Sequence, residues 1–164
     1  MDAAYFRALF DYQYWARDRL LAAVGQLAEA DCLAPRPMDY GSIHGTLVHA
    51  YAADVIWHSR WQGVSPTSML SPRDVPSLDA LVARWNEHEQ VVRAFVEGLS
   101  DEDVTTRVLD YRNTEGKAWS RLLWQTMAHL INHGTNHRSE VAAAATLLGH
   151  SPGDLDMIVY FNTR

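Results

Sequence analysis

An imidazole ladder constrains this chain more than any other feature. His129, His133 and His137 recur at four-residue intervals within Ser120–Arg138, taking three of the eight histidines in 164 residues. A step of four residues turns an α-helical side chain by roughly 40°, so neighbours in such a series share a face. On a helix, this series allows His133 and His137 to point both imidazoles at a single ion from one rigid rod. The fold must then place a partner element opposite.

The remaining sequence supplies partners. Phe6, Leu9, Phe10, Tyr14, Arg17, Leu20, Leu21 and Val24 recur near a period of 3.6 from Asp2, a capping residue, to about Gln26. This predicts a first long helix whose aromatics, Tyr12, Tyr14 and Trp15, form a core face. A connection broken by Pro35 and Pro37 follows. Ser42 is placed to cap a second helix carrying Ile43, Leu47, Ala50, Val55, Trp57 and Trp61, which Gly63 ends. Gly63 to Pro76 reads as a loop, long for a compact domain, that walls a pocket or crosses the surface. Ser77 caps a third helix to about Leu99, with Glu87, His88, Glu89 and Arg93 on its solvated side.

Ser100 to Asp103 fits a capping box opening one short turn. The segment from Thr105 to Trp119 alternates around Asn113-Thr114-Glu115-Gly116, which predicts a hairpin that must pack on helices. Ser120 is expected to cap the fourth long helix, which runs to about Leu148 and is closed by Gly149. Ser151 to Asp154 reads as a further capping box, starting a short last helix through Leu155, Ile158 and Tyr160. The expected fold is all-α: an up-and-down four-helix bundle with a short β-hairpin before the last long helix and a short C-terminal helix. Residues 1–164 form one domain in this reading.

Composition narrows the function. A net charge of −6 with no Lys/Arg cluster weighs against nucleic acid. Cys32 is the only cysteine, so the chain has no internal disulfide and no cysteine zinc knuckle. No basic segment followed by an apolar block opens the chain, and no apolar run reaches the roughly 20 residues of a membrane span. The expectation is a soluble cytoplasmic protein.

Bundles build sites from side chains on facing helices. His49, mid-helix among apolar residues, is the best third partner for His133 and His137; His44 and His58 lie nearer that helix's ends. His129 extends the row, either as a ligand or one turn too far around. Three protein ligands resemble catalytic zinc sites, which keep positions open. Zinc, nickel, iron and manganese all accept imidazole. Asp54 and Arg138 are candidates for orienting the site or an anionic substrate, and Glu140 for a base if it faces the pocket. The metalloprotease His-Glu-x-x-His, the di-iron Glu-x-x-His, the Gly-x-Ser-x-Gly elbow and Gly-rich phosphate loops are absent.

Several stretches then carry a family resemblance. Tyr14-Trp15-Ala16 with Arg19-Leu20-Leu21, Gly41-Ser42-Ile43-His44-Gly45-Thr46-Leu47-Val48-His49 and Trp57 to Gly63 resemble motifs of the DinB/YfiT-like superfamily. Asn132-His133-Gly134-Thr135-Asn136-His137-Arg138 is similar to its most specific motif, and Gly149 to Asp156 resembles its tail. Ser139 stands where the family commonly has Gly, and Arg17 where it often has Asn. The resemblance implies His49, His133 and His137 as the metal triad, a homodimer, and kinship with transferases and isomerases that use low-molecular-weight thiols.

Two functions follow as expectations. One is an enzyme in which a divalent metal acts on a bound thiol or water, giving thiol transfer to a small molecule or hydrolysis. The other is a non-catalytic stress-response dimer whose metal staples two helices. A bare helical interaction module is disfavoured, since it needs no interior histidines.

Overall fold

The structure, a computed structural model, describes residues 1–163. Four long helices, α1 (Ala3–Val24), α3 (Ile43–Trp61), α4 (Leu78–Glu97) and α6 (Leu123–Leu147), form a bundle. The short helices are α2 (Glu29–Leu33), α5 (Asp101–Thr106) and α7 (Met157–Asn162). Strands β1 (Val108–Arg112) and β2 (Ala118–Leu122) make an antiparallel hairpin that pairs Asp110 with Ser120. The bundle, the hairpin before the last long helix and the short C-terminal helix expected from the periodicity are all present.

The caps show why the helices begin where they do. Asp2, Ser42 and Ser77 accept hydrogen bonds from the backbone N–H groups of Tyr5, Gly45 and Ala80, satisfying donors the first turn leaves free. Ser100 and Asp103 make the expected reciprocal box at α5. Three boundaries differ from expectation. Ser120 does not cap α6: it is paired within β2, and the helix starts at Leu123, where the Gln125 side chain accepts the Leu122 N–H at 3.0 Å. Ser151–Asp154 stays irregular and α7 starts at Met157, because the Ser151 hydroxyl and Asp154 carboxylate bond only two residues ahead, to Gly153 and Asp156. The connection after α1 contains α2, too short for a periodicity argument.

Chain direction follows from the packing. α6 runs antiparallel to α3, where Trp61 Nε1 donates to Thr126 Oγ1 near one end and His49 faces His133 further along. α1 is antiparallel to α4, with Arg17 bonded to Glu89 and Arg7 to the Glu97 carbonyl. α3 and α4 run in the same direction, since Tyr51, His58 and Trp61 meet Trp85, His88 and Phe95 in ascending order. The four helices thus run up-down-down-up and do not alternate as the expected up-and-down bundle would. Between α3 and α4 the chain must return the full length of α3, about 28 Å for 19 residues. The proline-bearing segment 62–77 makes this return, with Met69 and Leu70 lying against Ala52 and Ile56 of α3. This is the physical reason for the long loop.

The apolar core is divided. Phe6, Phe10, Trp61, Val92, Leu123 and Met127 fill one half; Leu20, Val24, Ile43, Leu47, Leu81 and Val141 fill the other. Between them each long helix contributes buried polar groups: Gln13 and Arg17 from α1, Asp54 from α3, Glu89 from α4 and Arg138 from α6. Glu89, expected on a solvated face, bonds both Arg17 and Arg93 at 2.5 Å. A buried arginine needs a carboxylate, and this one draws Glu89 inward.

Candidate metal centre

At the level of this polar layer, three imidazoles meet on the α3–α6 face. Antiparallel packing brings His49 of α3 opposite His133 and His137, which share one side of α6. His49 Nε2 lies 3.0 Å from His133 Nε2. The ring centroids of His133 and His137 are 4.5 Å apart, and those of His49 and His137 4.9 Å. One nitrogen from each ring lies within 4.8 Å of the other two, an arrangement that can hold a metal ion.

The surroundings keep His49 and His133 neutral. Burial, reinforced by His137, lowers the pKa of His49 and of His133 to about 4. Neutral imidazole is the ligating form, so protons do not compete for these nitrogens at neutral pH. Glu140, one turn beyond His137, places Oε2 3.3 Å from His137 Nδ1, while its Oε1 accepts the Asp39 N–H at 2.7 Å. A carboxylate on the outer nitrogen fixes the ring and directs Nε2 inward, as in many metal sites. Asp39, His137 and Glu140 also cluster closely enough to be a second ligand group. Glu140 already serves as the brace of His137, so the three-imidazole set is the coherent donor array. Its chemistry fits a divalent transition ion.

Tyr40 completes the site, and sequence reasoning missed it. Its ring stacks on His49 at a centroid distance of 3.7 Å. Its position depends on Gly45, because a Cβ there would lie 2.3 Å from the Tyr40 carbonyl oxygen. Gly134, between the two α6 histidines, serves a similar purpose: a Cβ would meet Arg138 Nη1 at 2.8 Å and Gln13 Oε1 at 3.0 Å. The only signal for Glu140 was its spacing three residues after His137; Tyr40 gave none.

The other candidates lie elsewhere. His44 is buried at the start of α3 against Val75 and Ser77. His58 pairs with His88, their rings 5.2 Å apart. His129 lies 5.7 Å from His133 between ring centroids and packs against Trp57, outside the converging set. Asp54 accepts from Trp85 Nε1 at 2.8 Å, and burial pushes its carboxyl up to about 6. Arg138 donates to Thr135 Oγ1 at 2.9 Å. Both line a narrow buried cavity with Gln13, Tyr14 and Arg17, and no described hydrogen bond links either to the three imidazoles.

The sequence profile of the DinB family matches residues 1–163. The chain belongs to the DinB family. It is similar to Protein DinB of Bacillus subtilis (strain 168), with 19% identity over 162 residues, 93% of this chain and 91% of the relative. Membership and the imidazole cluster together fit a metal-binding DinB protein. No described helix of this DinB-family chain is long and apolar enough to cross a membrane.

Proposed function

We propose that this DinB-family chain is a metal-dependent enzyme, a transferase that activates a low-molecular-weight thiol for attack on a small electrophile. His49, His133 and His137 would hold one divalent transition metal, with zinc, nickel, iron and manganese all compatible with an all-imidazole set. The observation that carries this reading is the convergence of three ring nitrogens within 4.8 Å. Bound there, such an ion supplies Lewis acidity at its open positions, lowering the pKa of a thiol or water.

The chain's own groups do the rest. Glu140 holds His137 in orientation through Nδ1, and the amide of Asp39 holds Glu140. Tyr40 shields one face of His49 from water. Hydrolysis, with water in the same open position and Glu140 beside His137 as the nearest carboxylate, is the alternative. The proposal includes a cytoplasmic homodimer acting on a small molecule, testable by sedimentation.

The decisive experiment is elemental analysis of chelator-rinsed, metal-reloaded protein beside His49→Ala and His133→Ala. Near one equivalent in the parent, lost in both variants, supports the triad; retention by His49→Ala sinks it. A thiol panel with a chromogenic electrophile then tests transfer. A second reading, a metal staple, is favoured by the split of the ligands between α3 and α6. Unfolding of the metal-free protein would support the staple, whereas a folded, inactive metal-free bundle would support the enzyme.

A further inference from the structure

The face of α6 carrying His137 and His133 continues toward the helix N-terminus through His129 to Gln125. The facing row of α3 runs from His49 to Trp57 and Arg60. Between the two rows, closed by Tyr111 of β1, lies a cavity of about 320 Å³ lined by Trp57, Tyr111, Arg121, Gln125, Thr126 and His129. The His129 ring is 5.7 Å from that of His133, so the cavity begins one helical turn from the three imidazoles.

Its charge is unusual. Arg60 is only 6% exposed, and among the described residues it has neither a carboxylate partner nor a hydrogen bond; its Nε is buried and unsatisfied. The guanidinium carbon sits 4.7 Å from the Trp57 ring and 4.9 Å from the Tyr111 ring, against the two aromatic walls of the cavity. Arg17 and Arg93, by contrast, share Glu89 and each holds a second carboxylate, Asp18 and Asp11 respectively. The two ring faces compensate the Arg60 guanidinium only in part, and a ligand anion would complete its pairing. Arg121 lines the mouth, with Nη1 on the Ser120 carbonyl and no described carboxylate partner. The first turn of the 25-residue α6, beginning at Leu123, adds the positive end of a helix dipole. All this stands in a chain of net charge −6, so the positive field is local.

We infer that this cavity binds a small organic acid with a flat apolar body, the body held by Trp57 and Tyr111 and the carboxylate drawn by Arg60 and Arg121. Planar guanidinium groups match carboxylates, and the aromatic walls match a flat body. Cavities of roughly this size bury small ligands. As the substrate subsite of a reaction at the imidazoles, the assignment rests on the proposed function; as a binding site, it does not.

The test titrates metal-free protein with phenylacetate and, separately, with its neutral isostere phenylacetamide, following the Trp57 indole N–H by NMR. Phenylacetate should shift that resonance and bind about tenfold or more tightly than the amide. Arg121→Gln should weaken phenylacetate by a similar factor and leave the amide unchanged; Arg60→Met should do the same if it folds, and Arg121→Gln decides if it does not. Equal binding of acid and amide, no binding of the acid, or unaltered affinity in Arg121→Gln would each overturn the inference. The same titration on metal-loaded protein covers the case in which the metal-free chain unfolds. Stoichiometric metal without carboxylate preference would sink the cavity alone, and carboxylate preference in a protein that takes up no metal under any loading condition would sink only the enzyme reading.

Discussion

Tyr40 lies flat on His49, their ring centroids 3.7 Å apart and their planes 13° from parallel. The stack joins the loop before α3 to the second turn of that helix and restrains the imidazole before any ion arrives. Such restraint lowers the entropic cost of gathering three ligands.

Gly45 is the residue that makes this stack possible. Glycine to alanine inside a helix ordinarily stabilises by about 1 kcal/mol. Here the added Cβ would lie 2.3 Å from the Tyr40 carbonyl oxygen, and Gly45→Ala should instead destabilise by about 1–3 kcal/mol through overpacking. Chemical denaturation measures the loss, and metal off-rates should rise with it. Tyr40→Phe should leave both unchanged, since the ring and not the hydroxyl makes the contact.

Glu140 braces His137 through Nδ1 at 3.3 Å. Replacing it with glutamine removes the charge while keeping an acceptor for the Asp39 amide. Metal affinity should fall about 10- to 100-fold with little loss of fold. Competition against a calibrated chelator reads this directly; an unchanged affinity would assign Glu140 to surface structure.

Glu89 neutralises Arg17, whose side chain is only 3% exposed. Glu89→Ala leaves that cation with only the exposed Asp18 carboxylate and Asn86 as partners. A loss of about 2–4 kcal/mol is expected, somewhat below that for a fully unpaired buried charge. Thermal and urea unfolding should show it at neutral pH. A change below about 1 kcal/mol would return Glu89 to the solvated role its sequence context suggests.

His58 and His88 face each other 5.2 Å apart, away from the three imidazoles. Burial, with His88 beside it, lowers the His58 pKa to about 4, and burial also lowers that of His88. Both stay neutral in the fold while the unfolded chain takes up protons near 6.5. Their effect on stability is therefore absent above about pH 6.5 and grows as a loss while the pH falls toward 4. His58→Gln should unfold with about one proton fewer taken up across that window, measured from urea midpoints between pH 7 and 4.5.

Local chemistry was legible in the sequence wherever it is local. The caps at Ser42, Ser77 and Ser100, the helical stripes, the hairpin turn at Asn113–Gly116 and the shared face of His133 and His137 depend on neighbours within a few residues, and all four read correctly. Ser120 misled because a serine before an apolar run suits a cap, and the strand pairing with Asp110 lies ten residues away. Glu89 misled because its partner Arg17 lies on another helix.

By itself, the sequence determined four amphipathic helices and the pairing of two imidazoles on one of them, because helical periodicity encodes which side chains share a face. Only the tertiary structure decided that His49 meets them, that α3 and α4 run the same way, and that Tyr40 and Glu140 surround the site. Those facts depend on which helices are neighbours and in which direction they run, which packing of whole faces selects and no local period specifies.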